Sequence, residues 1–293
     1  MKTGIIVLGL DSRSPGTRRT AEGCAEYLRS KGRKNVEVAF LRGEPYAEDV
    51  MRAMHSDGVD TFSILPLSVS EGKNTVWLMP ASVLLPDNFG SWTMIDGKDV
   101  ATRFATALGP DQRMLDALVE ELGPPSDGKG ALLVSRGSPH STTKKTAMFY
   151  VEGLREAGWK AEWCADKHGI GLEDAVESLK AQGVGKLKVV PLYVAFDGPS
   201  SERVRDALKT TGMKADCLRP VSELPVFKEI LDSKVPEGWR RSGNQVQDII
   251  DNYSLHSLPR LEALRDPEVG DGVVVRAEHL YLSAGRADDR GLL

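Results

Sequence analysis

The sequence predicts an α/β protein of two tandem, doubly wound lobes with parallel sheets, followed by a C-terminal extension. Three observations carry this expectation. First, the chain repeats itself: Gly4 aligns with Gly130, Leu8 with Val134, Ser12 with Ser138, Thr17 with Thr143, Ala21 with Ala147, Leu28 with Leu154 and Gly32 with Gly158. One single-residue indel later, Glu48-Asp49 falls on Glu173-Asp174, Gly58 on Gly183 and Leu65-Pro66-Leu67 on Val190-Pro191-Leu192. Second, short apolar runs alternate with helix-like runs in both halves, the pattern of parallel strands covered by helices on both faces. Third, the repeats are separated by PPSDGK, a turn-rich linker. The expected division is a lobe at 1–123, a linker at 124–129, a second lobe at 130–225 and an extension at 226–293.

In chain order, Ile5–Leu8 reads as a buried strand. Thr17–Lys31 reads as a helix, entered through Pro-Gly-Thr and stopped at Gly32. Val36–Leu41 alternates and reads as a strand, Ala47–His55 as a helix and Thr61–Leu67 as a third strand. Val69–Pro86 reads as a loop with a short segment. Asp99–Leu108 and Gln112–Leu122 read as one broken helix or two. The second half repeats the order: strand Gly130–Val134, helix Lys144–Ala157, strand Lys160–Cys164, helix Leu172–Gln182, strand Leu187–Val194, helix Ser200–Thr210 and a strand at Met213–Leu218. The repeat stops after Pro225. Beyond it, Gln245–Leu264 is helix-like and Gly272–Leu282 strand-like.

The bulk numbers exclude several classes. The 293 residues are 41% hydrophobic and 27% charged, ordinary for a globular protein. A net charge of −4 gives no reason to expect nucleic acid as a partner. No apolar run approaches the ~18 residues of a membrane span. The first residues run straight into a strand without a signal-peptide pattern, so the expected location is cytoplasmic. Cys24, Cys164 and Cys217 are scattered, with no CxxC pair, so neither a zinc ribbon nor a disulfide framework is expected.

Doubly wound sheets bind ligands beyond the carboxyl ends of their strands. The loops at 9–17, 42–46 and 68–75, with 135–143, 166–171 and 195–202, lie at those ends, and the two halves are expected to face a shared cleft. Each half opens with a strand, a hydroxyl-rich loop and a helix N-terminus, a general anion-binding arrangement. Arg13 and Arg136 sit inside these loops. Arg18, Arg19, Lys144 and Lys145 read as solvated helix-start residues. Asp11, Glu44 and Glu71 are carboxylates at strand ends. His140 and His168 follow the first and second strands of the second half. They read either as solvated loop histidines or as a convergent pair able to take a proton or a metal. Trp77, Trp92 and Met79 read as core residues or as a surface for a flat ligand. His55 reads as a helix-exterior residue. His256 and His279 receive no role.

Two tandem halves, each opening with a strand and a Ser/Arg-containing loop, then a third strand ending in Pro and a Gly-containing loop, resemble the class II tetrapyrrole chelatases: the sirohydrochlorin cobaltochelatases, nickelochelatases and ferrochelatases. The first half reads Gly9-Leu10-Asp11-Ser12-Arg13, then Pro66-Leu67-Ser68, then Gly72-Lys73-Asn74. The second reads Ser135-Arg136-Gly137-Ser138, then Pro191-Leu192-Tyr193, then Gly198-Pro199-Ser200. The likeness covers about residues 1–225. It implies chelatase-like lobes and metal-inserting chemistry on an anionic tetrapyrrole, with a divalent metal (Co, Ni or Fe) as substrate and no organic cofactor. The family places a metal-ligating, proton-accepting histidine at positions held here by Leu10, Asn74, Arg136 and Ser200. Leucine binds neither metal nor proton, and arginine stays protonated.

Metal insertion would then rest on a relocated set: His140 and His168, on loops that follow neighbouring strands, as metal ligands and bases, with Glu44, which resembles the family's acidic residue after the second strand, as a third catalytic residue. Ser12, Arg13, Lys73, Asn74, Arg136, Ser138 and Ser200 are the expected substrate-binding residues, since sirohydrochlorin carries carboxylates that arginines pair with well. Two other functions stay open. One is a non-catalytic carrier of a tetrapyrrole or metallo-tetrapyrrole. The other is an unrelated enzyme taking a phosphorylated ligand, although no P-loop is present.

Overall fold

The computed structural model describes residues 2–85, 92–95, 97–138 and 141–235. The first lobe holds β1 (Thr3–Asp11), α1 (Pro15–Ser30), β2 (Val36–Arg42), α2 (Ala47–Ser56), β3 (Thr61–Pro66), α3 (Met79–Ser82), β4 (Trp92–Ile95), β5 (Lys98–Phe104) and α4 (Gln112–Leu122). The second holds β6 (Lys129–Ser135), α5 (Ser141–Glu156), β7 (Lys160–Ala165), α6 (Leu172–Ala181), β8 (Lys186–Pro191), α7 (Pro199–Thr210) and β9 (Lys214–Cys217), and α8 (Pro225–Ser233) follows. The sheet orders are β2-β1-β3-β5-β4 and β7-β6-β8-β9. The duplication extends to register: Leu8 pairs with Pro66 between β1 and β3, and its counterpart Val134 pairs with Pro191 between β6 and β8.

Alternation along the central strands sorts the core into layers. Ile5, Val7 and Leu65 of one sheet, and Ala131, Leu133 and Val190 of the other, face one continuous core containing α1, α4, α5 and α8. Ile6, Leu8 and Ile64 point the other way, onto α2 and α3. Leu132, Val134 and Val189 point onto α6 and α7. The molecule is thus a stack of helices, sheet, helices, sheet, helices, with period-2 side-chain alternation placing each residue on its layer.

Local chemistry explains the helix that begins at the first strand-end loop. Ser14 caps α1, its Oγ accepting from Thr17 N at 3.2 Å, and Pro15 occupies the first turn. Gly32, at φ 84, ends the helix where a left-handed residue is needed.

Two elements differ from expectation. Residues 98–104 form a strand rather than a helix. Val100, Thr102 and Phe104 alternate, and Ala101–Phe104 pair in parallel with Thr61–Ile64, so sheet pairing outweighs the weak helical pattern. Lys98–Ala101 also pair antiparallel with Trp92–Ile95, so the first sheet carries one antiparallel edge strand. The boundary expected at residue 225 falls at the first residue of α8. Phe227, Ile230 and Leu231 of α8 are buried in the shared core, and burial of such side chains contributes roughly 1.5–3 kcal/mol each. Asp232 pairs with Arg33 Nε at 2.8 Å, tying this helix back to the first lobe. The helix-like and strand-like runs expected at 245–264 and 272–282 lie outside the described residues.

Candidate functional site

The strand-end loops of the two lobes meet through a reciprocal exchange. The loop after β3 reaches the second lobe: the Glu71 carbonyl accepts Thr142 Oγ1 at 3.1 Å and Thr143 Oγ1 at 3.4 Å, and Ser70 Oγ lies 3.1 Å from Thr143 Oγ1. The loop after β8 reaches the first lobe: the Val194 carbonyl accepts Thr20 Oγ1 at 3.2 Å, and Asp197 Oδ2 pairs with Arg19 Nη2 at 3.2 Å. Each third-strand loop therefore rests on the first turns of the other lobe's first helix. Gly16 leaves room for this, since a Cβ there would lie 2.5 Å from Asp197 Oδ2. Gly72 sits opposite Ser138, 3.4 Å from its Oγ to a built Cβ. The loops at 9–17 and 135–138 thus open toward one interlobe region, as the repeat predicts.

In the first lobe, Ser12 is buried and its N–H donates to the Arg42 carbonyl at 2.9 Å. Gly43, at φ 75, allows the approach, because a Cβ there would stand 2.1 Å from Ser12 Oγ. Arg13 is exposed and grips Asp11 with two guanidinium bonds of 3.0 and 2.9 Å. Partial burial works to raise the Asp11 carboxyl, but the hydrogen bonds and charge of Arg13, with Arg42 behind, hold it below the usual carboxylate range. Arg18 donates to the Glu44 carbonyl at 2.9 Å and stacks 5.2 Å from the Phe40 ring, so it is not simply solvated. The Glu44 side chain is exposed. Lys73 is exposed and Asn74 half-buried, both on the turn that precedes α3.

In the second lobe, the loops after β6 and β7 lie side by side. Asp166 N–H donates to the Ser135 carbonyl at 3.0 Å and Lys167 N–H to the Arg136 carbonyl at 2.9 Å. His168 is exposed at φ 55 on the second of these loops. Convergence of the two loops, expected from their strands being neighbours, is seen, but His140 and Pro139 lie outside the described residues. Asp166 does not pair with His168. Its carboxylate takes Arg203 of α7, at 2.6 and 3.2 Å. Arg203 was not singled out in the sequence, since a helix-surface arginine remote in sequence carries no local signal. Arg136 is exposed and Ser138 half-buried; Ser200 opens α7, and its side chain lies outside the described set. Among the described residues no three His, Cys, Asp or Glu side chains gather closely enough to hold a metal ion.

Other candidates resolve differently. Glu71 does not line an open site. It is buried, with Oε1 accepting Ala107 N–H at 2.7 Å and Oε2 without a partner among the described residues. Burial pushes its carboxyl up, against hydrogen bonds from Thr75 and Ala107 and the charge of Lys234. Trp77 and Met79 are core residues at 8% and 1% exposure. Trp92's side chain, His256 and His279 lie outside the described residues. His55 Nδ1 lies 2.8 Å from the Val59 carbonyl, at its helix end. A depression of about 310 Å³ lies along α1 and β2, lined by Arg18, Glu22, Arg29, Val38 and Phe40 among others, on the first lobe alone rather than between the loops. Among the described residues no helix is long and apolar enough to cross a membrane.

Two α/β lobes joined tail to head, with paired strand-end loops facing one another, make a duplicated fold of the chelatase type. Residues 4–123 match the CbiX family model, so the first lobe is similar to the class II chelatases. It is 25% identical over 147 residues to a ferrochelatase of Xylella fastidiosa (strain M12), covering 47% of this chain and 44% of that one. The chain thus spans less than half the length of that relative. It is 25% identical over 123 residues to a sirohydrochlorin cobaltochelatase of Methanosarcina acetivorans, covering 41% of this chain and 95% of that one. Among solved structures, SirB from Bacillus subtilis with Fe3+ superposes with a TM-score of 0.64 at 17% identity, covering 80% of this chain and 94% of that chain. That likeness is one of fold.

Proposed function

We propose that the protein inserts a divalent metal into sirohydrochlorin or a related anionic tetrapyrrole, with Co, Ni or Fe as the metal substrate. The observation that carries this is the family match over residues 4–123, the lobe whose β1 and β3 loops present Ser12, Arg13, Lys73 and Asn74. Chelation needs charged groups to hold the macrocycle's carboxylates and a base to accept two pyrrole protons. Arg13 and Arg136 take the first role, supported by Ser12, Lys73, Asn74, Ser138 and Ser200. His140, His168 and Glu44 take the second, the two histidines also receiving the metal.

A second function, a carrier that binds the macrocycle without inserting metal, is favoured by Leu10, Asn74, Arg136 and Ser200 at the family's histidine positions. Titration of the protein with sirohydrochlorin, followed by visible absorption with and without Co²⁺, Ni²⁺ or Fe²⁺, separates the two. Insertion above the uncatalysed rate, reduced ~10²–10⁴-fold by His140→Ala with His168→Ala, is the expected result for the enzyme. A spectral change on binding with no accelerated insertion assigns the carrier. No spectral change with any tetrapyrrole removes both.

A further inference from the structure

The second lobe carries a cationic cluster at the carboxyl ends of β7, β6 and β8, where sheet order reverses and doubly wound folds bind their ligands. Arg136 follows β6, Lys167 follows β7, and Arg203 reaches over from α7. The backbone bonds from Asp166 and Lys167 to the Ser135 and Arg136 carbonyls hold the two loops in register. Gly137 makes this possible. At φ 76 it lies against the Lys167 carbonyl, where a Cβ would come within 1.6 Å of the oxygen.

One carboxylate serves three cations. Asp166 is bound bidentately by Arg203, which outweighs burial and lowers its carboxyl, and the charges of Lys167 and Arg136 act on it in the same sense. The side chains of Arg136 and Lys167 make no hydrogen bond or ion pair with the described residues. Beside them, the Tyr193 hydroxyl after β8 is buried with no partner among the described residues. Burial raises this phenol, as does the Asp166 charge, so it remains a neutral O–H donor. Two cations in excess of the local carboxylate and an unspent hydroxyl donor are a set that a ligand carboxylate satisfies by charge-assisted bonds.

We infer that Arg136, Lys167, Arg203 and Tyr193 form a carboxylate-binding subsite on the second lobe, with Asp166 as the residue that positions Arg203. The arginine that stands where the family has histidine is then an anchor for acidic groups. This deepens the function proposed above and rests on it for the macrocycle, but the subsite can be tested alone.

The experiment is calorimetric titration of the full chain with citrate, at low and at moderate NaCl. Saturable binding that weakens with salt is expected. Arg136→Ala and Lys167→Ala each weaken it about 10-fold or more, as loss of a charge-assisted contact does. Tyr193→Phe, which keeps the ring, weakens it by a smaller factor. Amide shifts in NMR spectra should centre on 135–138, 166–168 and 193 and stay small at 11–13. The inference is overturned if citrate does not saturate, if the Arg136 and Lys167 variants bind as wild type, or if the shifts centre on the first lobe. Citrate binding without tetrapyrrole binding upholds the subsite and removes the macrocycle as its ligand.

Discussion

Gly137→Ala tests the junction between the β6 and β7 loops of the second lobe. The residue sits at φ 76, where an alanine costs about 1–2 kcal/mol. The new methyl would stand 1.6 Å from the Lys167 carbonyl oxygen, a backbone atom that cannot rotate away. The loops must separate, which breaks the 3.0 Å bond from Asp166 N to Ser135 O and the 2.9 Å bond from Lys167 N to Arg136 O. At about 0.5–1.5 kcal/mol for each bond, the combined loss is ~2–5 kcal/mol. A protein of this size loses ~2–4 °C of Tm per kcal/mol, so the transition should fall by about 4–20 °C in a calorimetric or circular-dichroism melt. Gly212→Ala is the control. That glycine has φ 67 and nothing within 4 Å of a built Cβ, so it reports the backbone cost alone. If Gly137→Ala lowers Tm no more than Gly212→Ala, the loop contact is not a source of stability and the reasoning fails.

Two further predictions follow from buried contacts. Glu71 is pushed above its ordinary 4.5 by burial, so its stabilising contribution is present below that value and is lost as pH rises through the folded-state value. Glu71→Gln keeps an acceptor for Ala107 N–H and removes the charge; its stability relative to wild type, measured by urea unfolding, should improve as pH rises from about 4 to about 8, and a flat difference would contradict the assignment. Gly153 lets α5 approach α4, since a Cβ there would lie 2.2 Å from Leu115 Cδ2. Gly153→Val should cost about 1–3 kcal/mol through overpacking, and Leu115→Ala should recover part of it in a double-mutant cycle; strict additivity would show that the helices are not in contact there.

Much of the architecture is written locally. Period-2 apolar runs set Ile5 and Val7 on one sheet face and Ile6 and Leu8 on the other, and Gly32 and Gly158 end equivalent helices at φ 84 and 91. The repeat carries the sheet order too, because equal sequences placed in equal positions pair equally: Leu8 with Pro66, Val134 with Pro191. Adjacency of the β6 and β7 loops was also legible, since neighbouring parallel strands deliver their ends side by side.

Other features depend on contacts between residues far apart in the chain, which no local pattern encodes. Residues 98–104 are a strand because Thr61–Ile64 offer a free edge, a partner 40 positions away at Ala101 opposite Thr61. Glu71 looked like a strand-end carboxylate and is instead closed off by Ala107, Lys234 and the threonines of α5. Asp166 faces Arg203 rather than its neighbour His168, because the β7 loop and α7 meet only once the second sheet is wound. Sequence periodicity determines which face a side chain occupies. Which partner waits on that face is decided by the packing of the two lobes, where burial, charge pairing and close approach are judged together.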